Sequence, residues 1–317
     1  MTKNVLLTGG FGTLGGRLAA ILAQDEKINL RLASRVKRTS PTWAPQAETF
    51  VVDFDNSGSV RDMLSDITHV VHLVAMTDFE SRAEPDKAQQ VNVEYTRRVV
   101  EQCAKKTRFV NLSTIQVYGA NLSGTITEST DTNPADAYSQ THLDAEQIVK
   151  SAHNAGVLEG VSLRNANGFG APMSADAKIW QIIANDLCRQ AVEKKQLTLK
   201  SHGLQYRNFI PFTDVCTAIR HCLFMPSEQT KSPTFNLGSE STIRVLDMAE
   251  LIAMRCSATL GYKPELNLLG ASPESLPTKF AYDSKKLRST GLSLTTRFED
   301  EIDGLLAACQ KWFKSSQ

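Results

Sequence analysis

The sequence predicts a doubly wound α/β fold, a parallel sheet covered by helices on both faces, with a smaller α/β unit towards the C-terminus. Three observations carry that expectation. A short apolar run, Lys3 to Thr8, leads directly into Gly9-Gly10-Phe11-Gly12-Thr13-Leu14-Gly15 and then into apolar residues at helical spacing, Leu14, Leu18, Ile21 and Leu22. The rest of the first half alternates strand-like and helix-like segments, the signature of right-handed βαβ units. The chain has 317 residues, of which 41% are hydrophobic, enough for a large core and about two structural units.

Strand, glycine turn and helix in succession are the context in which glycines mean phosphate binding. Gly9 permits a tight turn, Gly12 lets backbone amides approach a pyrophosphate, and Gly15 allows helix and strand to pack closely. Phe11, Thr13 and Leu14 complete the loop, and the helix N-terminus offers unpaired N–H groups to an anion. Leu30 to Ala33, Thr49 to Val52, His69 to Val74, Phe109 to Leu112 and Val157 to Leu163 then read as buried parallel strands. Val91 to Ala104 and Ala135 to Ala152 read as helices. This is a Rossmann-type arrangement, whose ligands sit at the carboxyl ends of the strands. The second half is less regular. Ala177 to Glu193 reads as a helix, Gln196 to Lys200 as a short strand, Phe235 to Gly238 as strand and turn, and Val245 to Ala258 as a helix. The expected division is a nucleotide-binding domain of residues 1–164 plus about 207–230, and a substrate domain of about 165–206 and 231–317, with a cleft between them.

Composition narrows the function classes. Lys+Arg number 35 and Asp+Glu 34, for a net charge of +1, so there is no electrostatic footprint for nucleic acid or an anionic membrane. No run approaches ~20 apolar residues, and the first apolar run is too short for a signal peptide. Cys103, Cys188, Cys216, Cys222, Cys256 and Cys309 form no C-x-x-C pair and read as reduced thiols of a cytoplasmic protein. The histidines show no metal-ligand spacing. A small-molecule enzyme without metal is the expectation.

Several local patterns run in a fixed order over nearly the whole chain: Thr8 to Gly15, Asp53-Phe54-Asp55, His72-Leu73-Val74-Ala75, Val91-Asn92, Leu112-Ser113-Thr114 before Val117-Tyr118-Gly119, and Glu128. Pro134 with Tyr138-Ser139-Gln140-Thr141-His142, Leu163-Arg164-Asn165-Ala166-Asn167, Arg207-Asn208-Phe209-Ile210 and Phe235-Asn236-Leu237-Gly238 follow. In this order they resemble the extended short-chain dehydrogenase/reductase family, the NAD(P)-dependent epimerase/dehydratase group of nucleotide-sugar epimerases, dehydratases and reductases. The resemblance implies hydride transfer between a nicotinamide and a carbinol or carbonyl carbon. Tyr138 matches the family's acid/base. Thr114 matches the residue that hydrogen-bonds the reacting oxygen, with Ser113 a second donor. Asp53 would meet the adenine amino group beside Phe54, and Leu73, Val74, Ala75 and Asn165 would line the cofactor. Thr77, Thr114, Asn167 and Arg207 would face the substrate, Arg207 pairing with a phosphate. Helices Val91 to Ala104 and Ala135 to Ala152 would form the face of a homodimer. Taken alone, Tyr138 also suits a surface position on an amphipathic helix, and Arg207 an ion pair between domains.

One position departs from the family. Its pattern is Tyr-x-x-x-Lys, and here the fourth residue on is His142, still on the same helix face. The lysine holds the nicotinamide ribose and its charge lowers the tyrosine pKa. His142 can do the first, but the second only while protonated, and an ordinary histidine is mostly neutral at pH 7. Cofactor choice has its own signal. The second strand ends in Ala33-Ser34-Arg35-Val36-Lys37-Arg38, without an acid for a ribose 2′-hydroxyl. Ser34, Arg35 and Arg38 suit a 2′-phosphate, favouring NADP over NAD, although Lys37 and Arg38 also fit a solvated loop. A second phosphate-binding arginine, expected by resemblance between Gly270 and Pro277, is absent. Two readings follow: an NADP-dependent oxidoreductase or epimerase acting on a nucleotide-linked or related sugar, or a non-catalytic NADP-binding sensor that kept the fold and lost the lysine.

Overall fold

The computed structural model describes residues 2–270 and 276–314, so most of the Gly270 to Pro277 stretch lies outside the described residues. Its centre is a seven-stranded, wholly parallel sheet. The strands are β1 (Lys3–Thr8), β2 (Ile28–Ser34), β3 (Glu48–Val51), β4 (His69–His72), β5 (Arg108–Thr114), β7 (Glu159–Asn165) and β11 (Thr234–Leu237), in the order β11-β7-β5-β4-β1-β2-β3. Alternation along each strand sends side chains to opposite faces. Val5, Leu7, Val71, Val110 and Val161 meet α1 (Thr13–Leu22) and α8 (Phe212–Phe224) in one core. Leu6, Val70 and Phe109 meet α2 (Ser57–Met63), α5 (Tyr95–Gln102) and α6 (Ala137–Asn154) in the other. Both faces of the central strands are dry, which is why those strands read as continuous apolar runs, while the edge strand β3 is only half-buried.

The short helices α3 (Asp78–Ala83) and α4 (Pro85–Ala88) follow β4, and a π-helical turn, Gln89–Glu94, joins α4 to α5. The expected helix from Val91 to Ala104 is thus a longer broken run, from Pro85 to Gln102. The second unit is built from α7 (Ile183–Lys194), α9 (Val245–Leu260) and α11 (Phe298–Phe313), packed around Leu187, Ile252, Ile302 and Leu305. Small sheets edge it. β8 (Asn167–Phe169), β10 (Tyr206–Pro211) and β12 (Thr242–Arg244) form one, and β9 (Gln196–Leu199) pairs β13 (Glu265–Leu268). β6 (Gly124–Ile126) pairs β14 (Phe280–Tyr282), followed by α10 (Lys285–Arg288).

Two sequence expectations change. Thr234–Leu237, assigned from sequence to the substrate unit, is an edge strand of the large sheet, where Phe235 and Leu237 complete the core beside β7. Ala177 to Ile182, read as helical, is irregular, and α7 begins at Ile183.

Candidate active site

The glycine turn is fixed by contacts that leave no room for side chains. Gly9 has φ 72°, a left-handed conformation that glycine adopts without strain. Gly12 N donates to Gly9 O at 2.9 Å, closing the turn. A Cβ on Gly15 would fall 2.1 Å from the Gly9 carbonyl oxygen, so α1 approaches β1 only because that atom is missing. Gly12 caps α1 without a side-chain bond, and the first helical turn holds no acid. The uncapped N–H groups and the helix dipole are therefore left for an anion. Leu73 N donates to Thr8 at its backbone oxygen (3.2 Å) and its Oγ1 (3.3 Å), which sets the end of β4 beside the turn. Leu73 and Val74 are half-buried there and Ala75 is exposed.

Tyr138 is the second residue of α6, whose N-cap Asp136 accepts from Ser139 N at 2.9 Å in a capping box. Thr114 ends β5 and caps the 3₁₀ turn Ile115–Tyr118, its Oγ1 accepting from Gln116 N at 3.2 Å. That leaves the Thr114 proton to be donated, and its hydroxyl lies near enough to the Tyr138 phenol to lower its pKa. Burial pushes the phenol up to about 12; Thr114 works against that, and the Asp78 and Asp136 carboxylates add to it. His142 packs edge-on against the Tyr138 ring, with centroids 4.5 Å apart. Burial lowers the imidazole to about 4, and a hydrogen bond with the Leu112 backbone only partly opposes this. His142 is therefore neutral at pH 7 and supplies no charge to the phenol. Its Nε2 is buried without a partner, as is Oδ1 of Asn165 at the end of β7.

Other predicted residues divide. Ser113, expected as a second donor, gives its hydroxyl to Glu146, which Arg164 grips at 2.8 Å. Arg164 also donates to the Tyr118 hydroxyl at 2.8 Å, so Ser113 belongs to a buried network beneath the site. The Phe54 ring is a core side chain stacked on Tyr95 at 4.8 Å. Asp53 beside it is exposed. Thr77 is spent on the N-cap of α3, exchanging hydrogen bonds with Glu80. Asn167 donates to the Asn208 carbonyl at 3.0 Å, joining β8 to β10. Among the described residues Arg207 meets no carboxylate, and its guanidinium makes one hydrogen bond, to the neighbouring Tyr206 carbonyl at 3.4 Å. Its side chain is exposed, and it forms no ion pair between domains among the described residues. Ser34 and Arg35 lie at the end of β2, Arg35 exposed, while Arg38 folds over the Phe11 ring at 5.0 Å.

Sequence reasoning passed over Asn92 as a site residue. It lies in the π-helical turn, accepts from Met76 N at 2.7 Å and donates to Thr141 Oγ1 at 2.9 Å. It thereby ties the loop after β4 to the helix turn that carries His142. Val91-Asn92 was visible in the sequence pattern, but the tie is a contact between distant segments.

Residues 5–238 match the profile of the NAD dependent epimerase/dehydratase family. The chain belongs to that family. D-erythronate dehydrogenase of Haemophilus influenzae is 27% identical over 167 residues, 50% of this chain and 53% of that protein. The chain thus spans about half the length of the first curated relatives it matches. A UDP-glucose 4-epimerase of Lactobacillus helveticus is 26% identical over 98% of this chain and 97% of its own. Among solved structures, UDP-glucuronic acid 4-epimerase from Bacillus cereus, in complex with UDP-glucuronic acid and NAD, has a TM-score of 0.79 at 22% identity. The likeness covers 97% of this chain and 99% of that one, and it establishes a shared fold. The family's enzymes are nicotinamide-dependent, and the residues here fit such a dinucleotide. The helix end is uncapped, and two orphaned polar atoms, His142 Nε2 and Asn165 Oδ1, lie at the carboxyl side of the sheet. Among the described residues no helix is long and apolar enough to cross a membrane.

Proposed function

We propose that this member of the family is an NADP-dependent oxidoreductase or epimerase acting at a carbinol or carbonyl carbon of a nucleotide-linked or related sugar. The observation that carries this reading is the Thr114 hydroxyl against the Tyr138 phenol, with the unpartnered His142 Nε2 one helical turn away. When bound, the nicotinamide accepts or returns a hydride. The protons belong to the chain. Tyr138 takes the proton from a carbinol or gives it to a forming alkoxide, and Thr114 donates to the same oxygen. His142 holds a ribose hydroxyl through Nε2. Arg207, which meets no carboxylate among the described residues, takes a phosphate of the substrate, and Asn167 serves there through its side-chain oxygen or its second amide N–H. The cofactor preference rests on Ser34 and Arg35, with no acid at the end of β2; Arg38 must leave the Phe11 ring to join them. The protein would act in the cytoplasm, as a homodimer through α5 and α6.

A neutral His142 beside a phenol near 12 favours a second reading, a nucleotide-binding sensor without turnover. One series separates the two. NADPH and NADH are titrated by calorimetry, and wild type and Tyr138→Phe are assayed on a panel of nucleotide sugars from pH 6 to 10. The enzyme reading expects tighter NADPH binding and carbinol oxidation that rises towards alkaline pH. It also expects loss of nearly all turnover in Tyr138→Phe with nucleotide affinity kept. Equal activity of the two proteins would remove Tyr138 from the chemistry. Binding without turnover at any pH would leave the sensor.

A further inference from the structure

The irregular segment Ala171–Trp180, between β8 and α7, is fixed at both ends. At its start, Arg17 of α1 donates to the Ala171 carbonyl at 3.2 Å. Met173 lies so close to Gly16 that a Cβ built there would come within 3.0 Å of its Cγ. At its end, Trp180 Nε1 donates to the Ala175 carbonyl at 2.8 Å, and the indole meets Phe313 of α11 edge-on at 4.8 Å. Between these anchors the segment has neighbours on two sides. On one side, the Cβ built on Gly16 that meets Met173 also comes within 3.7 Å of Trp43 Nε1, in the loop after β2. Lys178 Nζ lies 2.5 Å from Glu80 Oε1, in α3 after β4. In the sheet, β1 lies between β2 and β4. A segment that lies between the loop after β2 and the helix after β4 passes the carboxyl end of β1, and that end is the glycine turn.

We propose that Ala171–Trp180 is a strap closed over the dinucleotide site, and that the Lys178–Glu80 ion pair is its latch. The proposal rests on the reading that the glycine turn holds a dinucleotide. The latch is prepared on one side. Glu80 Oε2 accepts from Thr77 N at 3.0 Å and from Thr77 Oγ1 at 2.9 Å, which aims Oε1 at the strap. A strap closed without ligand obstructs entry and exit alike, so it lowers both rates and leaves affinity nearly unchanged. Slow exchange suits an epimerase or dehydratase, which restores its nicotinamide within each turnover. A dehydrogenase must release it every time.

The test is stopped-flow binding of NADPH and NADH to the full chain, followed by nicotinamide fluorescence. Lys178→Glu puts like charges at the latch, Glu80→Gln unlatches it while keeping an acceptor for Thr77, and Lys178→Glu with Glu80→Lys restores the pair in reverse. Both single variants are expected to raise association and dissociation rates about fivefold, the scale of one exposed ion pair, with Kd within about twofold of wild type. The reversed pair returns both rates towards wild type. Rates unchanged in both single variants overturn the latch. A weaker Kd with an unchanged association rate also overturns it, and makes Lys178 a phosphate contact instead. Wild type that binds neither nucleotide overturns the dinucleotide reading, and the strap with it.

Discussion

At the scale of single residues, the decisive feature is one imidazole in place of an ammonium. His142 lies against Tyr138 but is held neutral by burial, at about 4, so the phenol keeps its proton to about 12. On the proposed reading Tyr138 is then a ready acid and a poor base at pH 7, and carbinol oxidation is expected to gain about tenfold per pH unit until the phenol ionises. His142→Lys tests this directly. An ammonium ~4 Å from the phenol contributes ~1 to 4 kcal/mol, which moves the alkaline limb down by roughly one to three units. A pH–rate profile, or ultraviolet titration of the phenol where turnover is low, reads the shift. A limb that stays in place would mean that the phenol is tuned by something other than its neighbour on the helix.

At the scale of elements, α6 matters through its first turn. Asp136 does two opposing things there. As N-cap it fixes the start of the helix and the direction of Tyr138, and as a carboxylate it helps raise the phenol pKa. Arg82 of α3 pairs with Asp136 at 2.9 Å and with Asp78 at 2.7 Å, drawing the two helix starts together. Asp136→Ala should cost about 1 kcal/mol of stability through the lost cap, about 2 °C in melting temperature for a chain of this size. The alkaline limb should move down, because a negative neighbour has gone. Calorimetric melting and a pH–rate series measure the two effects separately. A limb moving upward would show that the change in helix direction outweighs the charge.

At the scale of the whole molecule, buried histidines set the acid limit. His72, against Thr8 Oγ1 at 2.9 Å, is lowered by burial to about 4, as is His142. Unfolded, each takes a proton below about 6.5. Folded, each stays neutral until the pH falls to about 4. Between those limits the unfolded state binds more protons, so the stability these two rings carry is complete above pH 6.5, declines as pH falls and levels off below about 4. The loss should be on the order of 3 kcal/mol for each of the two rings. Urea unfolding at a series of pH values between 7.5 and 4.5 checks it, and His72→Gln should flatten the slope. A constant midpoint across that range would contradict the sign.

Much of this protein is legible in its sequence because the signals are local. Gly12 and Gly15 announce their turn, since a Cβ on either would meet Gly9 or Gly10, only a few residues away. The central strands of the large sheet announce themselves because both faces are dry. Tyr138 and His142 share a helix face by spacing alone, and the missing lysine is visible without coordinates. What only the tertiary structure decided depends on groups far apart in the chain. Ser113 turned from donor to network member because Glu146 and Arg164 converge on it from α6 and β7. Thr234–Leu237 left its expected domain because the open edge of β7 could pair it. The unwound start of α7 was set by Arg17, Glu80 and the aromatic side chains of α11, none of them near it in sequence. The neutrality of His142 follows from burial, a property that residue identity does not carry.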